Sequence, residues 1–98
     1  MLGGPRFHAM SQPDEVIILT DQECDPCQKL KHLLAEAPLV RFLELGSQEA
    51  DVLLGDQHQV VVPMPIARFG EKREVCALAY EGEKVLLVCG EDTFPLKE

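Results

Sequence analysis

Apolar positions along the chain fall into short blocks, each closed by a proline, a glycine or a charged cluster. Val16-Ile17-Ile18-Leu19 is a continuous apolar run rich in β-branched residues, too short for a helix between Pro13 and the first cysteine. An apolar run without alternation is the pattern of a central strand with both faces buried, in a sheet covered by helices. From Asp25 the period changes. Leu30, Leu33, Leu34 and Ala37 fall at i, i+3, i+4 and i+7, while Gln28, Lys29, Lys31, His32 and Glu36 take the other side. That spacing predicts an amphipathic helix opening at Asp25 and Pro26 and closed by Pro38, which pushes the residue before it out of the helical region. Leu39 to Leu45 reads as a second strand stopped by Gly46. Ser47 is then an N-cap for a short second helix that carries Ala50, Leu53 and Leu54 inward and stops at Gly55. A strand, a crossover helix and a strand imply a right-handed parallel pair.

The second half is strand-like. Two prolines argue against a central strand through Val60–Pro65, so the third strand is expected to begin only at Pro65 or Ile66, before a turn at Gly70-Glu71-Lys72. Glu74–Tyr80 and Lys84–Cys89 form an antiparallel hairpin around Glu81-Gly82-Glu83. Two registers are open there. A turn with Gly82-Glu83 at its centre pairs Glu81 with Lys84 and sets Cys76 opposite Cys89; one centred on Glu81-Gly82 leaves the two cysteines out of register. Buried free thiols are common, and a disulfide or regulatory pair is the alternative. Glu91–Glu98 reads as a polar tail in which Pro95 discourages a final helix. Tyr80 and Phe69 are read as core or edge packing, and His32 and His58 as solvated surface histidines.

Ninety-eight residues suit one domain, here 15–98, behind a flexible N-terminal leader over 1–14 that carries Gly3, Gly4, Pro5 and Pro13. The leader lacks the apolar core of a secretory signal, and no run approaches the roughly 18 apolar residues of a membrane span. A net charge of −8 argues against nucleic acid or anionic membrane as a partner. Four cysteines in such a chain suggest catalytic or metal use in a reducing, cytoplasmic setting rather than an extracellular disulfide scaffold.

The chemistry concentrates in Glu23-Cys24-Asp25-Pro26-Cys27, placed between the first strand and the first helix. At a helix N-terminus the free N–H groups and the macrodipole favour a thiolate, which makes Cys24 a usable nucleophile. Cys27, one turn along, is within reach of a mixed disulfide formed at Cys24, and the pair is the working unit of dithiol–disulfide exchange. The same spacing is also half of a zinc site, but Cys76 and Cys89 do not supply a second C-x-x-C. Asp21, Glu23 and Asp25 surround the pair. They oppose thiolate formation and disfavour an anionic tripeptide such as glutathione, or else they only decorate a helix start.

The strand Val16–Thr20, the Cys24-Asp25-Pro26-Cys27 motif, the helix after it and the segment Met64–Gly70 together resemble the thioredoxin and glutaredoxin superfamily, over roughly Glu15 to Tyr80. The resemblance implies an α/β fold with a central mixed sheet in the order 2-1-3-4 and flanking helices. Here it would be extended by an extra C-terminal antiparallel strand, with the family's usual last helix missing. The resemblance also implies a cis-proline facing the cysteines at the start of the third strand, assigned to Pro65 with Pro63 as the alternative. Lys31, four residues after Cys27, looks glutaredoxin-like, whereas Pro26 looks thioredoxin-like. The implied function is a thiol–disulfide oxidoreductase reducing protein disulfides. Cys24 attacks, Cys27 resolves, Met64 and Pro65 shape the substrate groove and Pro26 stiffens the helix start. No cofactor or metal is implied. The implied partners are a disulfide-containing protein and an upstream reductase. The reading from a different class is a non-catalytic adaptor of the same fold whose cysteines hold zinc or an iron–sulfur cluster.

Overall fold

The computed structural model describes residues 12–56 and 59–97. Among them the chain runs β1 (Glu15–Thr20), α1 (Asp25–Leu33), β2 (Val40–Glu44), α2 (Gln48–Leu54), β3 (Met64–Phe69), β4 (Lys72–Val75), β5 (Ala77–Glu81), β6 (Lys84–Cys89) and β7 (Asp92–Lys97). Most of the N-terminal stretch read as a leader, and His58, lie outside the described residues. At the end of that stretch Asp14 is already tied to the sheet, accepting the Gly70 N–H at 2.7 Å and donating its own N–H to the Arg68 carbonyl at 2.8 Å.

The first sheet has the expected order β2-β1-β3-β4. β1 runs parallel to β2, with Ile18 opposite Phe42, and antiparallel to β3, with Ile18 opposite Pro65. β1 is buried on both faces, and its side chains alternate between two cores. Val16 and Ile18 join Leu30, Leu34 and Ala67 on one side; Ile17 and Leu19 join Ala50, Met64 and Ile66 on the other. Each valine, leucine, isoleucine or methionine among them contributes about 1.5–3 kcal/mol relative to leaving it in water. α2 closes the second face. It is capped as its sequence predicts, with Ser47 Oγ accepting the Ala50 N–H at 3.3 Å.

The first face is closed in a way the sequence reading did not anticipate. Glu74–Tyr80 is not one strand of an extended sheet. It divides at Cys76, whose N–H donates to the Pro65 carbonyl at 2.9 Å in the first sheet, whereas Ala77 pairs with Val88 in a second. The two halves change partner without any break in residue type, so no local pattern reports the division. The tail is likewise a strand rather than a polar coil. β5-β6-β7 form a separate three-stranded antiparallel sheet, and Val85, Leu87, Cys89 and Phe94 from it enter the same core as Val16 and Ile18. Phe94 lies 6.1 Å from Phe69, ring centre to ring centre. Pro95 argued correctly against a helix, but it is tolerated in β7 because that strand is at an edge, where a missing N–H costs no ladder bond. The pairing of β6 with β7 is irregular beside it, between Val85 and Leu86.

α1 ends at Leu33, earlier than Pro38 alone would dictate. Leu34 still donates to Leu30 at 2.9 Å, after which the chain tightens into turns, with Ala37 donating to Leu34 at 3.1 Å and Val40 to Ala37 at 3.3 Å. The apolar stripe survives the change: Leu30 and Leu34 are buried, with Leu33 and Ala37 packed beside them. At the β1–β2–β3 end away from the cysteines, Arg41 bonds Glu49 and Glu15, and Arg68 lies near Glu15 and Asp14. The hydrogen bonds Arg41 donates to Glu49 and to Glu15 raise the Arg41 pKa, and the Glu49 pKa is lowered in return. These side chains are 30–56% exposed, so the ion pairs add little stability.

Three two-residue turns have the same composition, Gly70-Glu71, Gly82-Glu83 and Gly90-Glu91, joining Phe69 to Lys72, Glu81 to Lys84 and Cys89 to Asp92. Gly82 has φ +65° while no described non-glycine residue has a positive φ, so Glu81 cannot be the first residue of a turn that needs both central residues left-handed, and Gly82 stands first. That selects between the two registers left open by the sequence. Glu81 pairs with Lys84, and Cys76 comes opposite Cys89. None of the described helices is long and apolar enough to cross a membrane.

If the second sheet carries the first core, Leu87→Ala should be as damaging as a deletion in β1. Leu87 is fully buried, and such truncations typically cost about 2–5 kcal/mol. Urea unfolding of the variant checks this; a midpoint unchanged from the parent would show that β6 does not pack as described.

Candidate functional site

The cysteine loop is shaped by Asp21. Its carbonyl accepts the Cys24 N–H at 3.2 Å, and its carboxylate accepts the Glu23 N–H at 3.4 Å. Asp21 therefore has a local structural use in addition to its charge. Cys24 is the N-cap of α1, with extended φ −100° and ψ 104°, and Asp25 and Pro26 form the first turn. The Cys27 N–H points at Cys24, 3.1 Å from its Sγ and 3.1 Å from its carbonyl oxygen. A donor in this position favours negative charge on sulfur when Cys24 is reduced.

Cys24 and Cys27 are joined in a disulfide, their Cα atoms 5.2 Å apart. Cys24 is half-buried, whereas Cys27 has no exposed surface. Thr20, where β1 gives way to the cysteine loop, is also fully buried, and its Oγ1 has no hydrogen-bond partner among the described residues.

Pro26, Met64 and Pro65 do come together, as walls of one open groove of about 460 Å³. The proline assignment needs correcting. The cis peptide bond is Val62–Pro63, and Met64–Pro65 is trans. Pro65 is already inside the β3 ladder, opposite Ile18 and accepting from Cys76, where a cis bond would shorten the Cα–Cα step and break the pairing. Pro63, just before the strand, is free of that constraint.

Three further groove residues carried no functional signal in the sequence: Val61, Val75 and Tyr80. They are 78%, 52% and 51% exposed, an unusual placement for large apolar side chains unless something covers them. Tyr80, read from the sequence as core or edge packing, stands between this groove and a second one of about 440 Å³ along Asp25, Pro26, Lys29 and Leu33. Only the tertiary fold could reveal this, because the β5–β6 hairpin brings Tyr80 to the first turn of α1.

Cys76 and Cys89 form a second disulfide, with Cα atoms 4.7 Å apart. Cys76 lines the groove and is half-buried; Cys89 is buried in the first core. The described residues hold no group of three or more His, Cys, Asp or Glu side chains arranged to bind a metal ion. His32 is exposed on α1. Compared with known protein families, curated proteins and solved structures, the chain shows no match to any.

Burial raises the Tyr80 pKa above its ordinary 10.0. Tyr80 is the only tyrosine and the chain has no tryptophan, so ultraviolet titration reads it directly. The folded protein should ionise at higher pH than the protein in denaturant. Because the folded pKa is the higher one, the associated stability is present below about pH 10 and lost as pH rises through the folded value. Equal midpoints in the two states would place Tyr80 in open solvent.

Proposed function

We propose that the chain is a thiol–disulfide oxidoreductase of the thioredoxin and glutaredoxin kind, acting on disulfides in protein substrates. The observation that carries this reading is the asymmetry of the Cys24–Cys27 pair. One sulfur is accessible at a helix N-cap with an N–H aimed at it, and the other is enclosed one turn later. The apolar groove that reaches Pro26, between the two cysteines, suits an extended peptide better than a small polar metabolite.

In the reduced protein the Cys24 thiolate attacks one sulfur of a substrate disulfide. A Cys24–substrate bond forms, the substrate S–S bond breaks, and the other substrate sulfur leaves as thiolate and takes up a proton. Cys27 loses its proton and attacks Cys24 Sγ, which releases the second substrate thiolate and restores the Cys24–Cys27 bond. Two electrons have then passed to the substrate, and a dithiol donor must return them. Pro26 holds the first turn while Pro63, Met64 and Pro65 bound the approach.

Cys27→Ser should accumulate a mixed disulfide with a disulfide-containing peptide, mapped to Cys24, because nothing remains to release it. Cys24→Ser should abolish capture. A partner mapped to Cys27 in a Cys24→Ser protein, or no capture by Cys27→Ser at all, would defeat the mechanism.

Charge sets the choice of reductant. Asp21, Glu23 and Asp25 are all exposed around the site. Glutathione, with two carboxylates, should reduce the Cys24–Cys27 bond more slowly per thiol than a neutral dithiol. Added salt should narrow the gap as these charges are screened. Rates for the two reductants in low and high salt check this; a faster reaction with glutathione at low salt would reverse the assignment.

A further inference from the structure

Among the described residues Thr20 is the only buried polar one, and its Oγ1 has no hydrogen-bond partner. A hydroxyl taken out of water without a partner is a standing cost to the fold, and the exchange chemistry above makes no use of it. Its place in β1 fixes what it faces. β1 pairs regularly with β2 through Thr20, opposite Glu44, so Val16, Ile18 and Thr20 form a row on one face. α1 packs on that face, where Leu30 and Leu34 share one core with Val16 and Ile18. Because the chain passes from β1 through α1 into a parallel β2, the helix runs antiparallel to β1. Leu34, Leu30 and Cys27 are then the matching row on the helix. Beyond Ile18 the strand rises about 6.6 Å to Thr20, and beyond Leu30 the helix rises about 4.5 Å to Cys27. The two rows therefore end close to one level, with Thr20 against the first turn that carries Cys27. All six side chains are at most 2% exposed, so this end of the interface is closed to solvent.

We propose that the Thr20 hydroxyl donates a hydrogen bond to the Cys27 sulfur when the Cys24–Cys27 bond is open, and that this bond favours the dithiol state and the resolving step. The proposal rests on the exchange chemistry assigned above to Cys24 and Cys27. In the closed disulfide, the state of this structure, the Cys27 sulfur is a weak acceptor and the hydroxyl is left over. An external dithiol opens the bond with two electrons and two protons, and the Cys27 sulfur becomes a thiol. At resolution that thiol gives up its proton, its thiolate attacks Cys24 Sγ, and the departing substrate thiolate takes up a proton. Thr20 keeps its own proton throughout. An enclosed thiolate is unfavourable unless a donor reaches it, and a hydroxyl that has no other partner is free to do so. Both effects have one sign. The orphaned hydroxyl penalises the disulfide, and the hydrogen bond supports the dithiol.

The test compares the parent with Thr20→Val, which keeps the shape and removes the hydroxyl, and with Thr20→Ser, which keeps the hydroxyl. Each protein is equilibrated in buffers of a neutral dithiol and its disulfide. Thiol labelling and peptide mapping then read the Cys24–Cys27 bond separately from Cys76–Cys89. Thr20→Val should hold its disulfide roughly tenfold more firmly, a shift of about 30 mV toward the reducing side. Thr20→Ser should stay near the parent. In a single turnover with a disulfide peptide, release of the first peptide thiol should be unchanged in Thr20→Val. Release of the second, which reports resolution, should be roughly tenfold slower. A merely structural Thr20 would change urea stability without moving either readout. An unchanged equilibrium and an unchanged second step in Thr20→Val overturn the proposal, as does a Thr20→Ser shift as large as that of Thr20→Val. If Thr20→Val fails to fold, Thr20→Ser decides alone: a parent-like equilibrium and second step support the hydroxyl, and a tenfold shift overturns it. The equilibrium needs no protein substrate, so the two readings fail separately. A shifted equilibrium in a protein that captures no peptide leaves the hydrogen bond and removes the oxidoreductase; peptide turnover equal in parent and Thr20→Val does the reverse.

Discussion

Burial of β1 on both faces is the constraint on which the rest of the architecture depends. With Val16 and Ile18 entering one core and Ile17 and Leu19 the other, each face must be covered for the strand to be stable. α2 covers one face. α1 covers part of the other, and the β5-β6-β7 sheet supplies what a further helix would otherwise provide. The site inherits its place from this arrangement. β1 ends in fully buried Thr20, the chain turns once through Asp21, and Cys24 caps the helix that packs back over the strand.

The corner at Cys76 joins the two sheets. One residue accepts a change of ladder partner, carries half of a disulfide and forms a wall of the groove. The apolar side chains of Val75, just before it, and of Tyr80, further along β5, are both exposed. They line the groove that reaches Pro26, between the two cysteines of the first disulfide. The charged Arg41 and Arg68 contacts occupy the other end of the sheet.

Much of this was written locally in the sequence. The unbroken run Val16–Leu19 required a central strand; Ser47 and Gly55 marked the two ends of α2; Cys24 before Asp25-Pro26 fixed a thiol at a helix start. These features depend on interactions within a few residues, namely periodicity, capping and turn preference, so a linear reading reaches them. What only the tertiary structure decided are matters of partner choice. Whether Cys76 lies opposite Cys89 depended on which residue of the Glu81-Gly82-Glu83 turn came first. That Pro63 and not Pro65 precedes the strand in cis depended on the ladder to Ile18. That a polar tail with a proline becomes β7 depended on β6 offering an edge and the first core offering room for Phe94. In each case the residues admit more than one local conformation, and a contact from a distant part of the chain selects among them.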